Sequence, residues 1–175
     1  MKKKIFGDCP ILRATGNNNI EIIQILIDYA NNNNITLELK EKNEDYVYPL
    51  ILATEKNNIE ITQILIDYAN KHNIKMKLNE KDKNGSYPFL FATYKNNLKI
   101  VQILIDYANK NNIILKMNEK NKNGNYPLLF TISENNIEMI HLLIDYANNN
   151  NIKLKLNEKE KMGIICFYWL VVIIV

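Results

Sequence analysis

Polar and apolar positions along this chain return in the same order every 39 residues. In the block from Leu98 to Asn109, the polar residues Lys99, Gln102, Asp106 and Asn109 fall at i, i+3, i+7 and i+10. They make one narrow helical stripe, while Leu98, Ile100, Val101, Ile103, Leu104, Ile105 and Tyr107 take the rest of the circumference. A helix apolar over most of its surface must be enclosed on several sides. The stripe recurs as Glu21, Gln24, Asp28, Asn31, as Glu60, Gln63, Asp67, Asn70, and as Glu138, His141, Asp145, Asn148. This rotation puts Leu104 in the middle of a stack and Gln102 in solvent.

A shorter helix precedes each long one. Pro88 suits a first helical turn, where its missing N–H would have no partner anyway. The pattern predicts a helix from Pro88 to about Lys95, too short to stand alone, then a turn at Asn96-Asn97. After each long helix the period drops to two, in Ile35–Leu39, Ile74–Leu78, Ile113–Met117 and Ile152–Leu156. That is an extended, half-buried arm. It runs into a polar turn such as 79–85, whose Gly85 permits a positive φ.

The period itself is exact in the sequence. Asp28, Asp67, Asp106 and Asp145 stand 39 residues apart, as do Pro10, Pro49, Pro88 and Pro127. Gly85, Gly124 and Gly163 keep the same step, with Gly7 in phase. The chain therefore divides into repeats 7–45, 46–84, 85–123 and 124–162, with a degenerate or truncated fifth at 163–175, all in one array over 1–175. A period of this size predicts an all-α helical solenoid, with extended loops or short β-hairpin arms between repeats. One repeat buries about six large side chains at roughly 1.5–3 kcal/mol each, which does not exceed its ordering entropy. Stability must then come from the interfaces.

Third-repeat residues Asp82-Lys-Asn-Gly85, Tyr87-Pro-Phe-Leu-Phe-Ala-Thr93 and Leu98-Lys-Ile-Val-Gln-Ile-Leu104 carry a family likeness. They resemble the ankyrin repeat pattern D-x-x-G-x-T-P-L-H-x-A-A…L-E-I-V-x-L-L, and Asn121–Gly124 with Tyr126-Pro-Leu128 follow it in the fourth repeat. The likeness spans about residues 7–162. There are four departures. The threonine before proline becomes Tyr48, Tyr87 and Tyr126, and Cys9 in the first repeat; tyrosine cannot provide the short-range helix cap. The glycine between helices becomes Asn18, Asn57, Asn96 and Asn135, a mild change because asparagine tolerates the left-handed region. Tyr46 stands where the second turn needs glycine. About six extra residues per repeat follow Asp28 and its counterparts, and should lengthen the second helix or enlarge the loop to the arm.

The resemblance implies a non-enzymatic interaction module or scaffold that presents turn tips and first-helix faces, a concave surface, to another protein. Carried over by position, the contact residues are Glu44, Asp45, Val47, Glu55 and Lys56 in the second repeat. In the third they are Lys83, Asn84, Ser86, Tyr94 and Lys95, and in the fourth Lys122, Asn123, Asn125, Ser133 and Glu134. These positions vary while the framework repeats.

Composition changes little in this picture. A net charge of +3 from 22 basic and 19 acidic residues points to neither nucleic acid nor membrane. Lys81, Lys83, Lys120 and Lys122 gather at the turns, but Glu80, Asp82 and Glu119 alternate with them. Tyr29, Tyr68, Tyr107 and Tyr146 lie off the polar stripe and read as inter-repeat packing rather than a base-stacking platform. His141 on the stripe and His72 in a loop read as ordinary side chains. The aspartates 39 residues apart form a ladder, not a catalytic pair. No phosphate-cradling loop, metal-ligand spacing or nucleophile motif is present, so no catalysis, cofactor or metal is expected. Cys9 and Cys166 lie near opposite ends, which suits a reducing, cytoplasmic setting. Asp8, Pro10 and Arg13 interrupt the stretch after Met1-Lys-Lys-Lys4, so no export signal is read. The glycosylation matches Asn34-Ile-Thr36 and Asn84-Gly-Ser86 are then coincidental.

The run Ile164–Val175 would span about 18 Å as a helix, against about 30 Å of bilayer hydrocarbon. It is expected to cover the fourth repeat. The alternative is a membrane-associated array held by this tail, with Lys159 and Lys161 just before it.

Overall fold

The computed structural model describes residues 7–158, and within them the periodic pattern becomes four helix pairs. The first helices are α1 (Pro10–Gly16), α3 (Pro49–Glu55), α5 (Pro88–Tyr94) and α7 (Pro127–Ser133). The second helices are α2 (Ile20–Asn32), α4 (Ile59–Lys71), α6 (Leu98–Lys110) and α8 (Ile137–Asn149). No strand occurs among the described residues, so the arms are extended loops and not β-hairpins. The extra length of each repeat is spent on a 13-residue second helix and on the arm that follows it.

Asparagine sets both ends of the second helices. Asn18, Asn57, Asn96 and Asn135 turn the chain between helices with φ of 51–58°. The next residue, Asn19, Asn58, Asn97 or Asn136, caps the second helix by accepting the N–H of Ile22, Ile61, Ile100 or Met139. At the other end Asn34, Asn73, Asn112 and Asn151 are left-handed again. There the N–H of Ile35, Ile74, Ile113 and Ile152 reaches back to Ala30, Ala69, Ala108 and Ala147 at 2.8 Å. This closure satisfies carbonyls that a helix end would otherwise leave open. The asparagine runs are thus caps and reversals.

The pairs stack in two rows. α1, α3, α5 and α7 pack side by side, with Ala14, Ala53 and Ala92 buried among them, and α4 lies between α2 and α6. Leu104 is fully buried, as its helical phase requires. Gln102 stays on the outer stripe and donates to Asp106 at 2.7 Å, as Gln24 does to Asp28 and Gln63 to Asp67. The aspartate ladder is therefore a row of local i, i+4 hydrogen bonds.

Two tyrosines per repeat hold the arms. In place of a helix cap, the Tyr48, Tyr87 and Tyr126 hydroxyls donate to the carbonyls of Lys77, Lys116 and Lys155 in the arm of the same repeat. Tyr68, Tyr107 and Tyr146 reach the arm of the preceding repeat. Their hydroxyls accept the N–H of Leu37, Met76 and Leu115 at 3.0–3.1 Å. The Tyr107 hydroxyl also donates to the Ile74 carbonyl at 2.9 Å. Asn79 and Asn118 then bridge neighbouring arms through both amide atoms, to Ile114 and Lys116 and to Lys153 and Lys155. His72 is more engaged than a loop residue. It stacks on Tyr68 with ring centroids 4.1 Å apart, and its Nε2 lies 3.1 Å from Asn31 Oδ1.

Candidate functional site

The turns between repeats are built by one side-chain oxygen each. Asp82 Oδ1 accepts the N–H groups of Asn84 and Ser86, Asn121 Oδ1 those of Asn123 and Asn125, and Asn43 Oδ1 those of Asp45 and Val47. Such an arrangement fixes a tight reversal without help from neighbouring strands. Successive turns are also joined through backbone. Lys83 N–H donates to the Asp45 carbonyl and Lys122 N–H to the Asn84 carbonyl, both at 2.9 Å. Gly85, at φ 79°, lies so close to the next turn that an added Cβ would sit 3.1 Å from Asn121 Cα. The tips therefore form one rigid edge.

An ion-pair ladder runs beneath that edge. Glu80 lies between Lys42 and Lys77, Glu119 between Lys81 and Lys116, and Glu158 between Lys120 and Lys155. Each glutamate takes one lysine from its own arm and one from the preceding repeat. Burial works against the Glu80 charge, but hydrogen bonds from Lys42 and Lys77 outweigh it and hold the carboxyl below its ordinary range. Hydrogen bonding from Lys81 does the same for Glu119. Glu158, hydrogen-bonded by Lys120 and Lys155, is lowered to about 2. Burial, then the charge of Glu80 or Glu119, pushes the Tyr48 and Tyr87 hydroxyls up, so they remain neutral donors. The lysines at the turns are largely committed to this ladder.

The residues assigned by position mostly lie where that assignment put them. Glu44, Asp45, Lys83, Asn84, Lys122 and Asn123 are exposed at the tips, and Glu55, Lys56, Lys95, Ser133 and Glu134 are exposed at the ends of first helices. Val47 and Asn125 are half-buried, and Ser86 is buried. Lys83 pairs with Asp45 across repeats at 3.1 Å. Tyr94 is 52% exposed. Its ring meets Phe130 at 5.0 Å, tilted by 58°, with Lys95 Nζ 5.2 Å above it.

Phe91, Tyr94 and Phe130 line a depression between α5, α7 and the turn at 121–125, with the polar residues Asn121, Asn123, Asn125 and Ser86 around it. Its volume of about 270 Å³ falls below the roughly 300–1,000 Å³ of small-molecule sites. It accommodates a side chain or two of a larger partner. Phe91 and Phe130 are absent from the position-based assignment, although Phe91 stands three residues before Tyr94 and so shares its helical face. That spacing is the signal that marks them.

The sequence comparison agrees with this architecture. Residues 41–105, from the second turn into α6, match the family model of ankyrin repeats (many copies). These are ankyrin repeats. No curated protein matches the chain. Ankyrin repeats are generally protein–protein interaction modules. In this ankyrin array the glycine-to-asparagine change between helices keeps its left-handed turn, and the threonine-to-tyrosine change moves a hydroxyl from helix cap to arm. Among the described residues no group of three or more His, Cys, Asp or Glu is placed to hold a metal ion. None of the described helices is long and apolar enough to cross a membrane. The apolar tail at 163–175, and with it the membrane-held alternative, lies outside the described residues.

Proposed function

We propose that this array is a non-enzymatic protein-binding module or scaffold, working in a reducing, cytoplasmic setting, whose partner docks along the turn tips and first-helix faces of the third and fourth repeats. The observation that carries this reading is the exposed aromatic depression of Phe91, Tyr94 and Phe130. Buried aromatic anchors surrounded by polar groups dominate the binding energy of protein interfaces. The depression sits on a framework held by repeated hydrogen bonds, so a partner would meet a surface already in its bound shape and lose little ordering entropy. Its rim varies from repeat to repeat, as a surface facing different chemistry on one partner would.

The test is a quantitative pull-down from cell extract with the full chain. Tyr94→Ala combined with Phe130→Ala should reduce capture of specific partners by at least tenfold, the equivalent of about 1.4 kcal/mol. Gln24→Ala, on the outer stripe of the first repeat, should leave capture unchanged. Identical partners at identical yield for both variants would remove the assignment.

A further inference from the structure

One face of α2 is uncovered, and the other repeats show what covers it. Ile22, Ile25 and Tyr29 share a helical face and are 44%, 66% and 63% exposed. Their counterparts are buried: Tyr68, Tyr107 and Tyr146 at 4% or less, Ile61, Ile100 and Met139 at 0%, Ile103 at 6%. In each of those cases the cover is the preceding repeat, whose arm gives its N–H to the tyrosine hydroxyl. At the other end of the described molecule, Leu156 of the fourth arm is 45% exposed, while Leu39, Leu78 and Met117 are at 2% or less. Beside it, Leu154 holds the position from which Leu37, Met76 and Leu115 donate to tyrosine.

We propose that these two faces bind each other between molecules, a second copy of this chain seating its fourth arm on α2. The two faces are the halves of an interface that the chain already makes internally, related by the same 39-residue step. Side-chain chemistry and register therefore match without any adjustment. Ile25 and Tyr29 would bury against the arm around Leu154 and Leu156, and the Tyr29 hydroxyl would accept the Leu154 N–H. The contact is heterologous, each molecule using a different face on either side, so it propagates head to tail and closes no ring of its own.

Sedimentation equilibrium of the full chain over a hundredfold concentration range tests this. The average mass should rise with concentration beyond that of two chains. Ile25→Asp or Leu156→Asp alone should hold it at one chain mass. An equimolar mixture of these two variants should form dimers and stop there, because only one intact face of each kind remains. Both positions are solvent-exposed, and helical circular dichroism checks that each variant is folded; Tyr29→Asp serves as a second variant for the α2 face. A wild-type chain that stays monomeric overturns the proposal. So does an association that survives both substitutions, or a mixture that does not dimerise.

Discussion

At the scale of single residues, the backbone makes demands that side chains meet in unequal ways. Nine non-glycine residues have positive φ, and eight of them are asparagines. The ninth is Tyr46, at φ 60°, in the turn where the third and fourth repeats have Gly85 and Gly124. A Cβ in the left-handed region costs about 1–2 kcal/mol. The usual ranking of alanine above glycine should therefore reverse at this site. Tyr46→Gly should be more stable than Tyr46→Ala by about 1 kcal/mol in urea denaturation. Equal stability would mean that the turn relaxes to a negative φ when the tyrosine is removed. The helical caps and reversals were legible because Asn-Asn recurs at one phase of the period. The reach of the Tyr87 hydroxyl was not, since the likeness to a threonine cap directs attention to the adjacent backbone and not to an arm 29 residues away.

At the scale of elements, the helices were readable and the arms only half so. The polar stripe of α6 fixed its rotation, and the burial of Leu104 follows from it. The alternating pattern in Ile74–Leu78 correctly indicates an extended, one-sided segment. It does not say whether the backbone pairs with a neighbouring strand or with side chains. Here side chains do the pairing, through Tyr107 and Asn79. The interaction surface shows the same division. Tips and helix ends follow from register, whereas the meeting of Tyr94 with Phe130 depends on how closely α5 approaches α7. Tyr107→Phe leaves the buried Met76 N–H without its partner, at a cost of roughly 1–3 kcal/mol. Hydrogen exchange at the Met76 amide should accelerate in step. Tyr29→Phe, measured in dilute solution, should change stability by less than about 0.5 kcal/mol, because its hydroxyl has no preceding arm to hold. Equal effects at the two sites would show that the arm contact contributes nothing.

At the scale of the whole molecule, stability resides in features that cross from one repeat to the next. The ladder of Glu80, Glu119 and Glu158 makes part of it depend on pH. All three carboxyls are lowered in the folded state, against an unfolded value near 4.3. Their contribution is thus complete above that value and is lost as pH falls through the folded ones, down to about 2 for Glu158. Urea midpoints should fall between pH 6 and pH 3, modestly because these pairs are partly exposed. A triple Glu→Gln variant at 80, 119 and 158 should flatten that dependence, and an unchanged slope would place the acid sensitivity elsewhere. The tip hydrogen bonds, the arm tyrosines and this ladder all repeat with the same 39-residue step. A recombination event that slips by one period would join Lys42 to a glutamate identical in role to Glu80, and Asn18 to an asparagine identical in role to Asn58. Every junction would re-form with its own chemistry. Array length can therefore change in a lineage by whole units with no new interface to be invented, so that reach, rather than sequence, is the property most open to selection.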